Sequence, residues 1–420
     1  MSFRLIFNFI IIMTLFLILF SFGMFQGGFL SWFLFFGFLP IFLYHIGLLI
    51  YPMKKWKITR EINPSYVEAG SEVKVTVKIY RKIAFPLYYC VFEEVLPKSL
   101  NKEDQRLEKY KYMSQPLSMR VQRNTKQIIF PGFSRTIHVN YHIARLPRGE
   151  HELNNIRIRT GDVFGLIKKE HIFNIADGVL VHPSRRMILM NEQSQSFEQG
   201  AISTHSLKLS NTNVAAGIRE YLPGDRFSWI DWKQSARRNT MMTKEFEQEK
   251  STDTLIVLDC MAHDRLNELA FEATVEIGHS FIEMFKRNST SAGFLTVGEK
   301  SVFFPVQPHT NHNDVVERHL TTIQPNGLKM FSHTLKEELM RLQSQYLIII
   351  ITTHIDEHLK EMIKELEMQR KRVVLIFVQA EKSLTQTDLA ILHHLAQKNI
   401  FVSHISETQL IEERIEVNRL

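Results

Sequence analysis

Cysteine is nearly absent: in 420 residues only Cys90 and Cys260 carry a thiol. They lie far apart without CxxC spacing, which excludes a secreted disulfide scaffold and fits a reducing compartment. Catalytic signatures are missing too. The chain has no GxSxG elbow, no GxxxxGKS/T phosphate loop, no HExxH and no GxGxxG, so the motif-borne forms of hydrolysis, nucleotide binding and zinc proteolysis are excluded. His309, His312 and His319 have no third donor at fixed spacing, and the adjacent His393 and His394 point apart on a helix, so both groups read as solvated side chains. Cys260, flanked by Asp259, reads as packing rather than a nucleophile, because burial and a neighbouring carboxylate both disfavour the thiolate. Charge of one sign does not dominate either. The net +7 arises from 51 basic and 44 acidic residues spread along the chain, a pattern that argues against a nucleic-acid partner.

What is present divides sharply. Leu5 to Phe25 and Phe29 to Tyr51 are almost wholly apolar, and at about 1.5 Å per residue each run reaches roughly 30 Å, one hydrocarbon core. Between them Met24-Phe25-Gln26-Gly27-Gly28 is too short for anything but a turn, so residues 1–53 read as a transmembrane hairpin with helices at about 5–25 and 29–51. A signal peptide would need a stronger basic start and a small-residue cleavage site. Arg4 precedes the first run, Lys54, Lys55, Lys57 and Arg60 follow the second, and the turn has no basic residue. Both ends of the hairpin are therefore expected in the cytoplasm, with the basic cluster facing anionic headgroups.

Residues 54–183 alternate with period two, as in Val73 to Ile79, Thr136 to Val139 and Ile156 to Arg159, and are punctuated by Pro and Gly. That texture predicts a β-sandwich domain. The charged stretch Asn101 to Lys126 reads as a solvated loop on its surface, and the polar segment 184–216 as a linker. From 251 to 420, continuous apolar strands at Thr254 to Leu258, Ala292 to Val297, Val302 to Val306, Tyr346 to Ile351, Val373 to Val378 and Ile400 to Ile405 alternate with helical patterns. This predicts a doubly wound α/β domain with a buried, mainly parallel sheet.

Ligands in such domains gather beyond the carboxyl ends of the strands, where Asp259 closes the first. An Asp there suggests a divalent-cation site if hydroxyl ligands follow, because Mg²⁺ takes hard oxygen donors. The run is Asp259-Cys260-Met261-Ala262-His263, with Met261 and His263 at the hydroxyl positions and Thr353 and Asp356 after a later strand. A capping or paired Asp259 is the expected outcome, with Mg²⁺ at Asp259 as the alternative.

Residues 217–250 carry the most specific pattern: Arg219-x-Tyr221-x-x-Gly224-Asp225, then Ile230-Asp231-Trp232-Lys233, then Ala236-Arg237, then Lys244-Glu245-Phe246. With Gly161-Asp162-Val163-Phe164-Gly165-Leu166 and Val181-His182-Pro183 upstream, it resembles the membrane-anchored bacterial family known as domain of unknown function 58 (DUF58, the YeaD-like proteins). The resemblance implies a membrane hairpin, a β-rich domain and a von Willebrand A-like domain, and neighbours that include a MoxR-type AAA+ ATPase and a transglutaminase-like membrane protein. It implies no established catalytic activity. Physically, Arg219, Asp225, Asp231 and Arg237 balance in sign and suit a buried paired network packed by Trp229 and Trp232. An exposed docking surface of Arg219, Trp232, Lys233 and Arg237 is the other reading. The chain is thus expected to be a non-catalytic adaptor at the membrane that binds a protein partner. A Mg²⁺-dependent binding module and a hydrolase stand behind that expectation.

Overall fold

The computed structural model describes residues 3–190, 215–222, 227, 230–246, 253–287, 292–305, 311–342, 346–398 and 400–420. Two compact units emerge, Met1–Ser184 with Glu317–Ile323 and Arg185–Val316 with Gln324–Leu420.

The first unit opens with helices α1 (Phe3–Gln26) and α2 (Phe29–Ile50). Gly27 takes φ +58°, the left-handed conformation that lets the chain reverse between them. Aromatic side chains zip the pair together, with Phe16 stacked on Phe42 at 4.1 Å. Most other Phe, Leu and Ile side chains of both helices remain exposed. Both helices are long and apolar enough to cross a membrane, and their unburied apolar surface fits a membrane anchor.

Strands β1 (Lys57–Asn63), β2 (Tyr66–Glu68), β3 (Val73–Tyr80), β4 (Tyr89–Val95), β5 (Thr125–Ile129), β6 (Thr136–Ile143), β7 (Gly149–Gly161) and β8 (Lys168–His182) follow. They form sheets of order β1-β3-β6 and β2-β8-β7-β4-β5. Strict alternation supplies the reason: Val73, Val75, Val77 and Ile79 face inward against Phe92, Ile156, Ile158 and Val179 of the other sheet, in one core with Leu48 and Tyr51 at the end of α2. Inward-facing Arg60 corrects the expectation that it joins the headgroup-facing cluster. Its guanidinium is fully buried and bonds the equally buried Glu94 at 2.8 Å. Glu94 in turn accepts from the hydroxyl of Tyr141 at 2.6 Å. The stretch from Asn101 to Lys126 is largely exposed, as expected of a surface loop, but it is not featureless. Short 3₁₀ turns bury Tyr110, Met113 and Met119, and Lys109 pairs with Asp104 at 2.7 Å out of water.

The second unit begins earlier than the sequence suggested, because β9 (Met187–Met190) pairs in parallel with the last strand and so removes 187–190 from the expected linker. β10 (Ala215–Glu220), a short helix α3 (Trp232–Arg238) and β11 (Met242–Phe246) form a ribbon. Then come β12 (Asp253–Asp259), α4 (Glu268–Arg287), β13 (Ala292–Val297), β14 (Val302–Phe304), α5 (Asn311–Thr322), α6 (Phe331–Leu342), β15 (Tyr346–Thr352), α7 (Glu357–Met368), β16 (Val373–Val378), α8 (Gln386–Gln397), β17 (Phe401–Ile405), α9 (Glu407–Leu410) and β18 (Arg414–Val417). The main sheet runs β14-β13-β12-β15-β16-β17, parallel except for β14. One face packs on α6, α7 and α8, while Gly278 of α4 lies against Phe294 and Ile351 on the other. From β12 the chain winds outward in both directions, so the order reverses beside Asp259.

Candidate functional site

At that reversal, Asp259 is buried with both carboxylate oxygens engaged. Oδ1 accepts the amide of Met261 at 3.0 Å, and Oδ2 lies 2.6 Å from the hydroxyl of Thr352. That hydroxyl also accepts the amide of His354 at 3.0 Å and lies 2.8 Å from the carbonyl of His354. A threonine has one proton to donate. Donated to Asp259, it stabilises the carboxylate, but burial outweighs this and raises Asp259 to about 7 against the bonds from Thr352 and Met261, with Asp356 adding to the rise. Asp356 caps α7, accepting the amide of Leu359 at 2.7 Å. Both Asp259 oxygens are thus committed to partners within the protein, Oδ1 to the Met261 amide and Oδ2 to the Thr352 hydroxyl. Among the described residues no three His, Cys, Asp or Glu side chains converge on a metal position.

Residues that follow β12, β15 and β16 line a cavity of about 290 Å³, with His263, Arg265, Thr353, His354, Gln379 and Asp388 among them. The rings of His263 and His354 stack at 4.6 Å. Burial, reinforced by His354 and Arg265, lowers His263 to about 4, so its imidazole is neutral near pH 7. His263 Nε2 stands 3.2 Å from the Thr353 hydroxyl, the start of a nucleophile and base. Its Nδ1 is buried without a hydrogen-bond partner among the described residues. Of Asp259, Asp356 and His354, only His354 lines this cavity.

The signature segment is a locally built scaffold. Asp231 caps α3 by accepting the amides of Lys233 and Gln234, both at 3.1 Å. Ser235 Oγ accepts the amide of Met242 at 2.8 Å and so ties α3 to β11. Asn239 ends the helix at φ +56°. Asp231 is thus a cap rather than a member of a buried ion network, and Arg237, Lys233 and Trp232 are exposed. Trp232 does not pack a core: it is 66% exposed, and Phe227 is 71% exposed. Tyr221 stacks on Phe227 at 6.1 Å, and the Arg219 guanidinium donates to the Glu220 carbonyl at 3.1 Å. Gly224, Asp225 and Trp229 lie outside the described residues.

A third constellation escaped the sequence reading. His45 of α2 faces Asp162 at 3.2 Å, both buried, and its Nδ1 stands 2.6 Å from the Ile41 carbonyl. The signal was available: an ionisable side chain inside a membrane-length apolar run demands a partner, and Asp162 sits in the motif Gly161 to Leu166.

An apolar two-helix hairpin, a sheet-rich domain and an α/β unit define the class. The family model for "Protein of unknown function DUF58" matches residues 217–414. The "Uncharacterized protein YeaD" of Bacillus subtilis (strain 168) is 34% identical over 393 residues, 91% of each chain. The chain belongs to the DUF58 family. Among solved structures, the sporulation control protein Spo0M from Bacillus subtilis matches at 14% identity and TM-score 0.15, over 40% of this chain and 57% of that one. Cwp6 from Clostridium difficile matches at 12% identity and TM-score 0.15, over 84% of this chain and 39% of that one. Scores this low carry no fold assignment.

Proposed function

We propose that this protein is a non-catalytic adaptor, anchored in the cell membrane by its hairpin, that docks a protein partner at the cytoplasmic face. The observation that carries the reading is the surface of the signature segment. Trp232, Phe227, Leu222 and Met241 are exposed together with Lys233, Arg237 and Arg238 on one short ribbon. Aromatic and Arg side chains anchor interfaces, and the cations favour a partner face that is acidic around an apolar centre. The family resemblance nominates a MoxR-type AAA+ ATPase as that partner, with a transglutaminase-like membrane protein as a further member of the assembly.

The reversal of strand order at Asp259 supports reading the second unit as a von Willebrand A-like domain, and an Asp259 with both oxygens engaged within the protein favours a form that binds without metal. The basic residues at both ends of the hairpin support a cytoplasmic soluble part. The test uses the full chain in detergent, immobilised, with a purified MoxR-type ATPase as probe. Binding with micromolar or tighter affinity is expected, weakened tenfold or more by Trp232→Ala and unaffected by chelator. No binding of the wild-type chain, or equal binding of the variant, contradicts the proposal.

A further inference from the structure

We infer that the sandwich is seated in the bilayer rather than suspended above it, with the loop 162–165 inserted among lipid tails beside α2. The inference rests on reading the hairpin as a membrane anchor. It begins with helix length. Val163 and Phe164 share an apolar pocket with Pro40, Ile41 and Tyr44 of α2, and the Phe164 ring stacks on His45. Pro40 precedes the helix end at Ile50 by ten residues, roughly 15 Å at 1.5 Å per residue. Were the helix to leave the membrane at Pro40, the segment Phe29 to Leu39 would span roughly 16 Å, half a hydrocarbon core. Spanning therefore draws the last turns of α2 into lipid, and the loop beside them goes too.

The loop is built for that medium. Its tip shows Val163 at 60% and Phe164 at 66% exposure, a poor arrangement against water. Irregular backbone survives at membrane depth only when its polar groups are satisfied internally. Here Asp162 accepts the amides of Phe164 at 3.0 Å and Ile167 at 2.6 Å. Its own backbone carbonyl takes the Gly165 amide at 3.2 Å, and its amide donates to the Ile167 carbonyl at 3.2 Å.

A second loop pair shares this end of the sandwich. Phe85 stacks on Tyr51 at 5.2 Å and on Tyr44 at 5.5 Å, against the last two turns of α2. Buried Arg81 holds the carbonyls of Phe85 and Gly132, each at 3.1 Å. These bonds fix the neighbouring tip at which Phe133 is 72% exposed.

Nitroxide labelling of the full chain in vesicles of phosphatidylcholine and phosphatidylglycerol tests the inference. Spin labels go on Val163→Cys and Phe133→Cys, with Ile18→Cys in α1 as the lipid reference and Lys74→Cys, at the far end of β3, as the water reference. Buried Cys90 and Cys260 leave the labelling selective. The label at 163 should relax with oxygen and be protected from a water-soluble nickel chelate at least fivefold better than the label at 74, and the label at 133 should lie between. If 18 is in lipid while 163 matches 74, the seating is wrong and the anchor stands. If 18 is also open to the chelate, the anchor reading fails and takes the seating with it.

Discussion

Asp259 decides between a metal-binding and a metal-free reading through one proton. Its folded pKa of about 7 exceeds the ordinary 3.8, so the native state binds that proton more tightly than the unfolded chain. The linked stability is greatest below about pH 4 and is lost as pH rises toward 7. Asp259→Asn imitates the protonated acid without the titration. Thermal denaturation of the full chain in detergent should show little change at pH 4.5. At pH 8 the variant should melt higher by ~2–4 °C or more, the shift expected of about 1 kcal/mol in a domain of this size. Destabilisation by Asn at pH 8, with Mg²⁺ raising the wild-type midpoint, would instead restore the cation. Asp259 was legible from its position alone, since strand, edge and missing hydroxyls are all in the sequence. Its raised pKa was not, because that depends on how deeply the folded domain buries the carboxyl. Arg60 was misread although Ile58 and Ile62, two residues to either side, place it on their own face of the strand. Composition near a membrane outweighed periodicity there, and periodicity was right.

At the scale of elements, what the sequence specifies locally was readable. The strands Ala292–Val297 and Val373–Val378 match their apolar runs residue for residue, because strands buried on both faces need continuous apolar sequence. The packed turns between Asn101 and Lys126 have no period, so the burial of Lys109 against Asp104 left no signal in the pattern. The joint between α2 and the 162–165 loop belongs with these unreadable features, as His45 and Asp162 are separated by 117 residues. Asp162→Ala removes the acceptors of two loop amides and the partner of His45. Leaving such donors unsatisfied should cost about 2–4 kcal/mol in denaturant unfolding of the full chain in micelles. It should also speed tryptic cleavage after Lys168 and Lys169. Asp162→Asn, which retains one oxygen, should fall between. An alanine variant as stable and as protease-resistant as the wild type would show that the loop is held by its apolar contacts alone.

For the whole molecule the open quantity is which side of the membrane carries the sandwich and the α/β unit. The proposed orientation rests on Arg4 on one flank, Lys54 and Lys55 on the other, and a turn without basic residues, a pattern that favours both ends of the hairpin on the side that retains positive charge. Buried Arg60 leaves this argument weaker by one charge and intact in sign. The native thiols do not confuse the measurement. Both are buried, and burial pushes Cys90 up to about 11, which suppresses its thiolate. In intact cells an impermeant maleimide should therefore modify Gln26→Cys in the turn and spare Lys74→Cys in the sandwich, with at least a tenfold difference in labelling that vanishes once the membrane is opened. The reverse pattern would place the docking ribbon outside the cell, beyond reach of a cytoplasmic ATPase. The adaptor proposal would then fail on geometry, even with the anchor and both folded units intact.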